Sequence, residues 1–321
     1  MAEASVIEGV YLSTDLDLEE LYREAFAAHP KVRLRHPHEI EDPDTVRFAL
    51  CWRPADEAFD PYPNLGLASS IAAGVDSIVN CPSLPQKVVV TRVRDGNQGD
   101  LMAGYAAWHV VWHHRNMARY LNQQRSATWA RYDISGLLPP RDCVVGVLGF
   151  GLMGQAIARA VVAMGFTVVA AIRGEPPAKS SAGVSFESGP DAVRRTAAKA
   201  HMLINVLPLT PETRDILDAK LFATMPAGAV LIQLGRGEHL VEDDLVLALD
   251  NGLLSGASID VFRTEPLPDN HPFWRDPRIV VTPHQASACS TALVAEQVAQ
   301  AALDVVAGRR PQTAVDRCSG Y

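Results

Sequence analysis

Three residues in the last third of the chain have side chains suited to anion binding and proton transfer: Arg236 in LIQLGRG, Glu265 in SIDVFRTEPLP and His284 in VVTPHQAS. A guanidinium is planar and permanently charged, so it can clamp a carboxylate with two hydrogen bonds and polarise a neighbouring keto oxygen. An imidazole can donate a proton to the developing alkoxide. A carboxylate beside that imidazole orients the ring and stabilises its cationic form. Singly, each residue also has a plain reading: a surface ion-pair arginine, a loop glutamate before Pro266, a loop histidine. Each, however, follows an apolar run of strand length. Ligands of open α/β sheets bind at the carboxyl ends of strands, so the three would converge on one cleft.

A second group can bind a dinucleotide. Gly149, Gly151 and Gly154 form G-x-G-x-x-G between the apolar run 143–148 and the alanine-rich stretch 153–164, which ends at Gly165. A further apolar run covers 166–172. The motif therefore lies between strand and helix of a β-α-β unit, the context that distinguishes it from an ordinary glycine-rich turn. The first glycine permits a tight turn, the second lets backbone approach a pyrophosphate, and the third lets helix pack on strand. The helix N-terminus then offers its N–H groups to the phosphates. An NAD-specific site places Asp or Glu about 20 residues after the glycines to accept from the ribose 2′-OH. Here Ile172 occupies that place and Arg173 follows. Nothing acidic would repel a 2′-phosphate, and the arginine suits one, so NADP(H) is expected over NAD(H), with NAD(H) still possible. The plain alternative is a solvated arginine at a strand end.

The elements that must position these residues alternate along the chain. Strands are expected over 5–12, 32–35, 46–52 and 87–93, with a helix over 18–28 and a short helix or strand over 65–74. One long helix is expected over 99–124. His109 and His113 fall on it four residues apart, but with no H-E-x-x-H and no adjacent carboxylate they are read as packing residues, and no metal site is expected. A loop, 126–142, carries Trp129, Leu137 and Leu138. After 172 a polar loop is expected over 174–190, then a helix over 191–200 and strands over 201–207, 230–234, 256–262 and 279–281. Helices are expected over 218–225, 242–251 and 291–307. The pattern implies an α/β protein of two Rossmann-like, open parallel-sheet domains with an interdomain cleft. Residues 1–112 with 288–321 would form a substrate domain and 113–287 a dinucleotide domain.

The composition agrees. The chain has 321 residues, 48% of them apolar and 21% charged, as in an ordinary globular protein long enough for two cores. A net charge of −8 without basic runs argues against nucleic acid or an anionic membrane as partner. Cys51, Cys81, Cys143, Cys289 and Cys318 are scattered without C-x-x-C, which suits reduced thiols and a cytoplasmic location. The acidic start, MAEASVIEGVYLSTDLDLEE, does not read as a signal peptide or anchor.

Taken with AGVDSI (73–78), GFGLMG (149–154), INVLPLTPETRDIL (204–217), LGRGEHL (234–240), IDVFRTEPLP (259–268) and TPHQA (282–286), the chain resembles the D-2-hydroxyacid dehydrogenases, and among them glyoxylate/hydroxypyruvate reductases of the A type. The resemblance implies that Arg236, Glu265 and His284 are the catalytic Arg, Glu and His. It implies a substrate carboxylate bound by the backbone of Gly74 and Val75 and a pocket lined by Trp52. A donor pair in a tight turn is a reasonable anion site, although a plain turn and a core aromatic are the simpler readings. It implies cofactor contacts at Gly149, Gly151, Leu152, Met153, Gly154, Arg173, Leu207, Pro208, Thr213, Gly235 and Asp260, the last near the nicotinamide carboxamide. Core and strand-end roles are the alternatives for Leu207, Pro208 and Asp260. The A-type reductases also carry an arginine at 173. The chain departs from them at Gly104, before Tyr105, where they usually have Glu.

The expected activity is therefore NADPH-dependent reduction of a small 2-keto acid such as glyoxylate or hydroxypyruvate to the 2-hydroxy acid. A homodimer is expected, with the 126–142 loop reaching its partner. Two other readings differ from this: a dehydrogenase for a bulkier acid such as phenylpyruvate, and a non-catalytic dinucleotide sensor like the family's corepressors, which turnover would separate.

Overall fold

The computed structural model describes residues 6–176 and 183–317. Ser5, Cys318 and the middle of the 174–190 stretch, all included in the readings above, lie outside the described residues. The chain divides into two units, Met1–Asn97 with Ala288–Tyr321 and Gln98–Ser287. The division thus falls after Asn97, where the sequence pattern suggested Trp112: the helix across that point packs its buried face in the second unit.

In the first unit, strands β1 (Ile7–Ser13), β2 (Val32–Arg35), β3 (Val46–Trp52), β4 (Leu67–Ser70) and β5 (Val89–Thr91) form a parallel sheet of order β2-β1-β3-β4-β5. The uncertain segment 65–74 is thus a strand at its centre. Helix α1 (Leu18–Ala27) is capped by Asp17, whose side chain accepts from the backbone N–H of Glu20. With the final long helix, Thr291–Val306, it covers one face of the sheet, burying Tyr22, Phe26, Val294 and Val298 against Phe48, Leu50 and Leu67. The other face buries Val10, Ala49, Ala68 and Val90 against Ile78 of the short helix α2 (Asp76–Val79). Alternate residues of these strands go to opposite cores because the pleat has period two.

The second unit opens with α3 (Gly96–His114), whose first two residues belong to the other unit, and α4 (Met117–Arg125). The single helix expected over 99–124 is therefore broken. Asn116 adopts φ of 49°, a left-handed conformation that Asn tolerates better than most residues. The break separates α3, which buries Ala103, Ala106, His109 and Val110, from α4, which buries none of its residues.

Then come β6 (Val144–Leu148), α5 (Leu152–Ala163), β7 (Thr167–Ile172), β8 (Val184–Ser188), α6 (Ala192–Ala197), β9 (Met202–Asn205), α7 (Ala219–Phe222), β10 (Ala229–Gln233), α8 (Glu242–Asp250), β11 (Leu254–Ile259) and β12 (Ile279–Val281). The seven strands are parallel, in the order β12-β11-β10-β9-β6-β7-β8. Strand β8 corrects the expectation of a loop throughout 174–190. It is an edge strand in which Val184 and Phe186 turn toward the core formed by Val145, Val147, Ile157 and Val168. The opposite face of the sheet packs Leu203, Leu231, Ala257 and Ile259 on α6, α7 and α8. The chain steps outward from β6 in one direction and from β9 in the other. The space beyond the carboxyl ends of these two strands is the switch point where doubly wound sheets bind nucleotides.

Candidate active site

The glycine turn lies at that switch point. It joins β6 to α5, with Gly151 as the helix N-cap residue. Gly149 has φ of +95°, and a Cβ on Gly154 would stand 1.9 Å from the Gly149 carbonyl oxygen, so neither position accepts a side chain without displacing the turn. The first residues of α5 are Leu152 and Met153. Across the switch point, β9 runs into Leu207 and Pro208, and the Leu207 N–H is held by Asn205 Oδ1 at 3.2 Å. Thr213 Oγ1 donates to the Pro208 carbonyl at 2.8 Å and fixes the turn that follows. A cradle that a Cβ would fill, an N-terminus of a three-turn helix and a facing backbone turn fit a dinucleotide.

Arg173 is exposed directly after β7, where a second-strand group meets a ribose. Glu212 is held below the usual carboxylate range chiefly by the Thr210 hydroxyl, with a smaller contribution from the Arg173 charge.

The three candidate catalytic residues follow β10, β11 and β12. Arg236 is extended and half-buried. Its backbone is pinned on both sides: the N–H donates to His239 Nδ1 at 3.0 Å and the C=O accepts from Gln233 Nε2 at 2.8 Å. Its guanidinium donates to the Gly235 carbonyl at 2.8 Å, and the Gly235 N–H donates to Gln233 Oε1 at 3.3 Å.

Glu265 and His284 form a pair, with Oε2 2.9 Å from Nδ1. The other carboxylate oxygen, Oε1, accepts from the Phe262 N–H at 2.9 Å. The carboxylate is thus anchored before it meets the ring, and it faces Nδ1 rather than Nε2.

His284 itself has φ of 54°. Its loop is held by Asp260, 1% exposed, which stands at the end of β11. The Asp260 carbonyl accepts from the His284 N–H at 2.8 Å. The carboxylate accepts from the N–H groups of Gln285 and Ala286, both at 2.9 Å, and from Thr282 Oγ1 at 2.7 Å. The Tyr105 hydroxyl of α3 hydrogen-bonds to Thr282 and approaches Asp260 at 3.4 Å. Burial pushes the Tyr105 phenol well above its usual range, so it stays protonated. Asp260, expected beside the carboxamide, thus has its carboxylate engaged with the 282–286 loop.

Trp52, Gly74 and Val75 belong to the first unit. Trp52 ends β3, with the Arg53 guanidinium 6.0 Å from its ring centre. Gly74 accepts from Ser70 Oγ at 2.7 Å, and Val75 is the N-cap residue of α2.

Sequence reading missed Asn205, Gln233 and His239, three buried polar residues that support Arg236 and Leu207. The only signal was their polarity next to apolar strand runs. His109 and His113 are packing residues. His113 Nε2 meets Ser258 Oγ at 2.8 Å, and His109 packs against Tyr105. Burial pushes the two rings down to about 4 and about 3, respectively. Among the described residues, no group of three His, Cys, Asp or Glu is placed to hold a metal, and no helix is long and apolar enough to cross a membrane.

The second unit is thus a doubly wound sheet with a glycine cradle at its switch point, and an Arg and a Glu–His pair lie in the loops that follow its later strands. The model of the D-isomer specific 2-hydroxyacid dehydrogenase NAD-binding domain matches residues 107–286. The chain belongs to this family of NAD(P)-dependent oxidoreductases. It is 37% identical over 279 residues to glyoxylate/hydroxypyruvate reductase A of Serratia proteamaculans, covering 85% of this chain and 87% of that protein. Among solved structures it is similar to a D-isomer specific 2-hydroxyacid dehydrogenase of Xanthobacter autotrophicus in complex with NADPH. There the TM-score is 0.88 at 33% identity, over 99% of this chain and 100% of the other. It is also similar to an NADPH-dependent glyoxylate/hydroxypyruvate reductase of Sinorhizobium meliloti in complex with NADP and sulfate. That match has a TM-score of 0.87 at 29% identity, over 98% of this chain and 99% of the other.

Proposed function

We propose that this enzyme reduces a small 2-keto acid of the glyoxylate or hydroxypyruvate type, using NADPH in preference to NADH. The observation that carries the reaction is the anchored Glu265–His284 pair in the loops after β11 and β12, with β11 beside the β10 strand leading to Arg236 and β12 beside β11. Arg236 binds the substrate carboxylate and polarises its keto oxygen. His284 gives the Nε2 proton to that oxygen as its charge develops, and Glu265 balances the charge on the ring. A bound reduced nicotinamide supplies the hydride. Gly149, Gly151, Leu152, Met153 and Gly154 hold the pyrophosphate, while Leu207, Pro208, Thr213 and Gly235 border the rest of the cofactor. Arg173, with no acidic residue at 172, supports NADPH, as does the NADPH or NADP bound to the Xanthobacter and Sinorhizobium proteins.

The first unit, with Trp52 and the Gly74–Val75 backbone, serves the substrate, and the second serves the nucleotide. We propose a homodimer, supported by Trp129, which is 91% exposed, together with exposed Ile134, Leu137 and Leu138 on the same loop. A panel of glyoxylate, hydroxypyruvate and phenylpyruvate with each cofactor tests the assignment. The highest kcat/KM is expected for a small acid with NADPH, and a preference for phenylpyruvate would overturn the substrate class.

A further inference from the structure

We propose that His239 is a positioning residue that holds the Arg236 loop and the Leu207–Pro208 turn together through one neutral imidazole. The inference rests on the roles given above to Arg236 and to residues 207–208.

His239 closes the short 3-10 turn Gly237–His239 after β10 and is 0% exposed. Its two nitrogens face different loops. Nδ1 is 3.0 Å from the Arg236 N–H, which can only donate, so Nδ1 carries a lone pair. Asn205 Nδ2 stands 3.0 Å from the same nitrogen and 2.7 Å from Gln233 Oε1. Nε2 is 3.2 Å from the Pro208 carbonyl, which can only accept, so Nε2 carries the proton. Both contacts therefore require the same tautomer of a neutral ring.

The frame around the ring is closed. Gln233 receives the Asn205 amide and holds the Arg236 carbonyl, and Asn205 Oδ1 holds the Leu207 N–H. His239 thus ties the loop after β9 to the loop after β10. It sets the backbone from which the Arg236 guanidinium springs and the height of the Pro208 turn beside the nucleotide.

The two halves of the ring can be removed separately. In His239→Asn the side-chain oxygen takes the place of Nδ1 and still accepts from Arg236, but the Nε2 donor to the Pro208 carbonyl is lost and that carbonyl keeps the Thr213 hydroxyl. In His239→Gln the terminal amide reaches Pro208 as a donor, and the acceptor for Arg236 is lost. Kinetics with glyoxylate are compared with the NADPH dissociation constant, read by nucleotide fluorescence without keto acid.

His239→Gln is expected to raise KM for glyoxylate by about tenfold, the effect of one unsatisfied buried N–H, with NADPH binding within about twofold. His239→Asn is expected to weaken NADPH by about fivefold and to change glyoxylate KM less. A residue that only stabilised the fold would lower the melting temperature in both variants without this split, and that result overturns the proposal. Arg236→Ala serves as the control. If it raises glyoxylate KM and His239→Gln does not, the positioning role is wrong and the clamp stands. If Arg236→Ala leaves KM unchanged, the clamp assignment itself is wrong and the proposal falls with it.

Discussion

Replacing Asp260 by Asn should slow turnover by about 10- to 100-fold and leave NADPH affinity within about twofold. The carboxylate accepts from the N–H groups of Gln285 and Ala286 and from the Thr282 hydroxyl, and it is buried. Asparagine can keep its oxygen on the side of Thr282 and Gln285, but its amide then faces the Ala286 N–H, donor against donor. One charge-assisted hydrogen bond is lost, worth about 1.5–3 kcal/mol. The left-handed backbone at His284 costs on the order of 1–3 kcal/mol and persists only while the surrounding bonds enforce it. The two quantities are comparable, so the loop no longer holds the imidazole against Glu265 in most molecules. At about 1.4 kcal/mol per tenfold, the productive fraction falls by about 10- to 100-fold. The assay is steady-state reduction of glyoxylate at saturating NADPH, with NADPH binding measured separately by fluorescence. A variant with wild-type kcat and strongly weakened NADPH would refute the reasoning and return Asp260 to direct contact with the nicotinamide.

Three further outcomes follow. Arg173→Ala should raise KM for NADPH by about 10- to 100-fold, the loss of a charged arginine–phosphate pair, and leave NADH nearly unchanged; equal loss with both cofactors would contradict the assignment. Stability should fall between pH 6.5 and 4, because His113 is neutral in the fold with its ring pushed down to about 4, whereas the unfolded chain takes up the proton near 6.5. The contribution is complete above pH 6.5 and on the order of 3 kcal/mol is lost on acidification; His113→Gln should flatten that part of the melting-temperature profile, and an unchanged slope would count against it. Light scattering should report a dimer and Trp129→Ser should weaken it; a monomeric wild type at micromolar concentration would rule the dimer out.

Much of this molecule is legible in its sequence for local reasons. The strand–glycine–helix–strand pattern around Gly149 is a short-range signal, and so is a titratable residue just after an apolar run, as at Arg236 and His284. What was missed depends on contacts across the fold. Asn116 is a weak local signal for the helix break, because asparagine tolerates the left-handed conformation but also occurs within helices. Strand β8 is short, half-buried and set among Ser, Gly and Pro, so its alternation is faint. Asn205 lies far in sequence from Gln233 and His239, and the three become one network only when β9 and β10 pair. The engagement of Asp260 with Gln285 and Ala286 likewise exists only once β11 and β12 lie side by side.

The central claim is that His284, oriented by Glu265, protonates a keto acid held by Arg236. It is tested most directly by the turnover of His284→Ala with glyoxylate and saturating NADPH, under conditions where hydride transfer limits the wild type. A loss of kcat of about 10²–10⁴-fold is expected, with NADPH bound as tightly as in the wild type. A variant that turns over near the wild-type rate would contradict it.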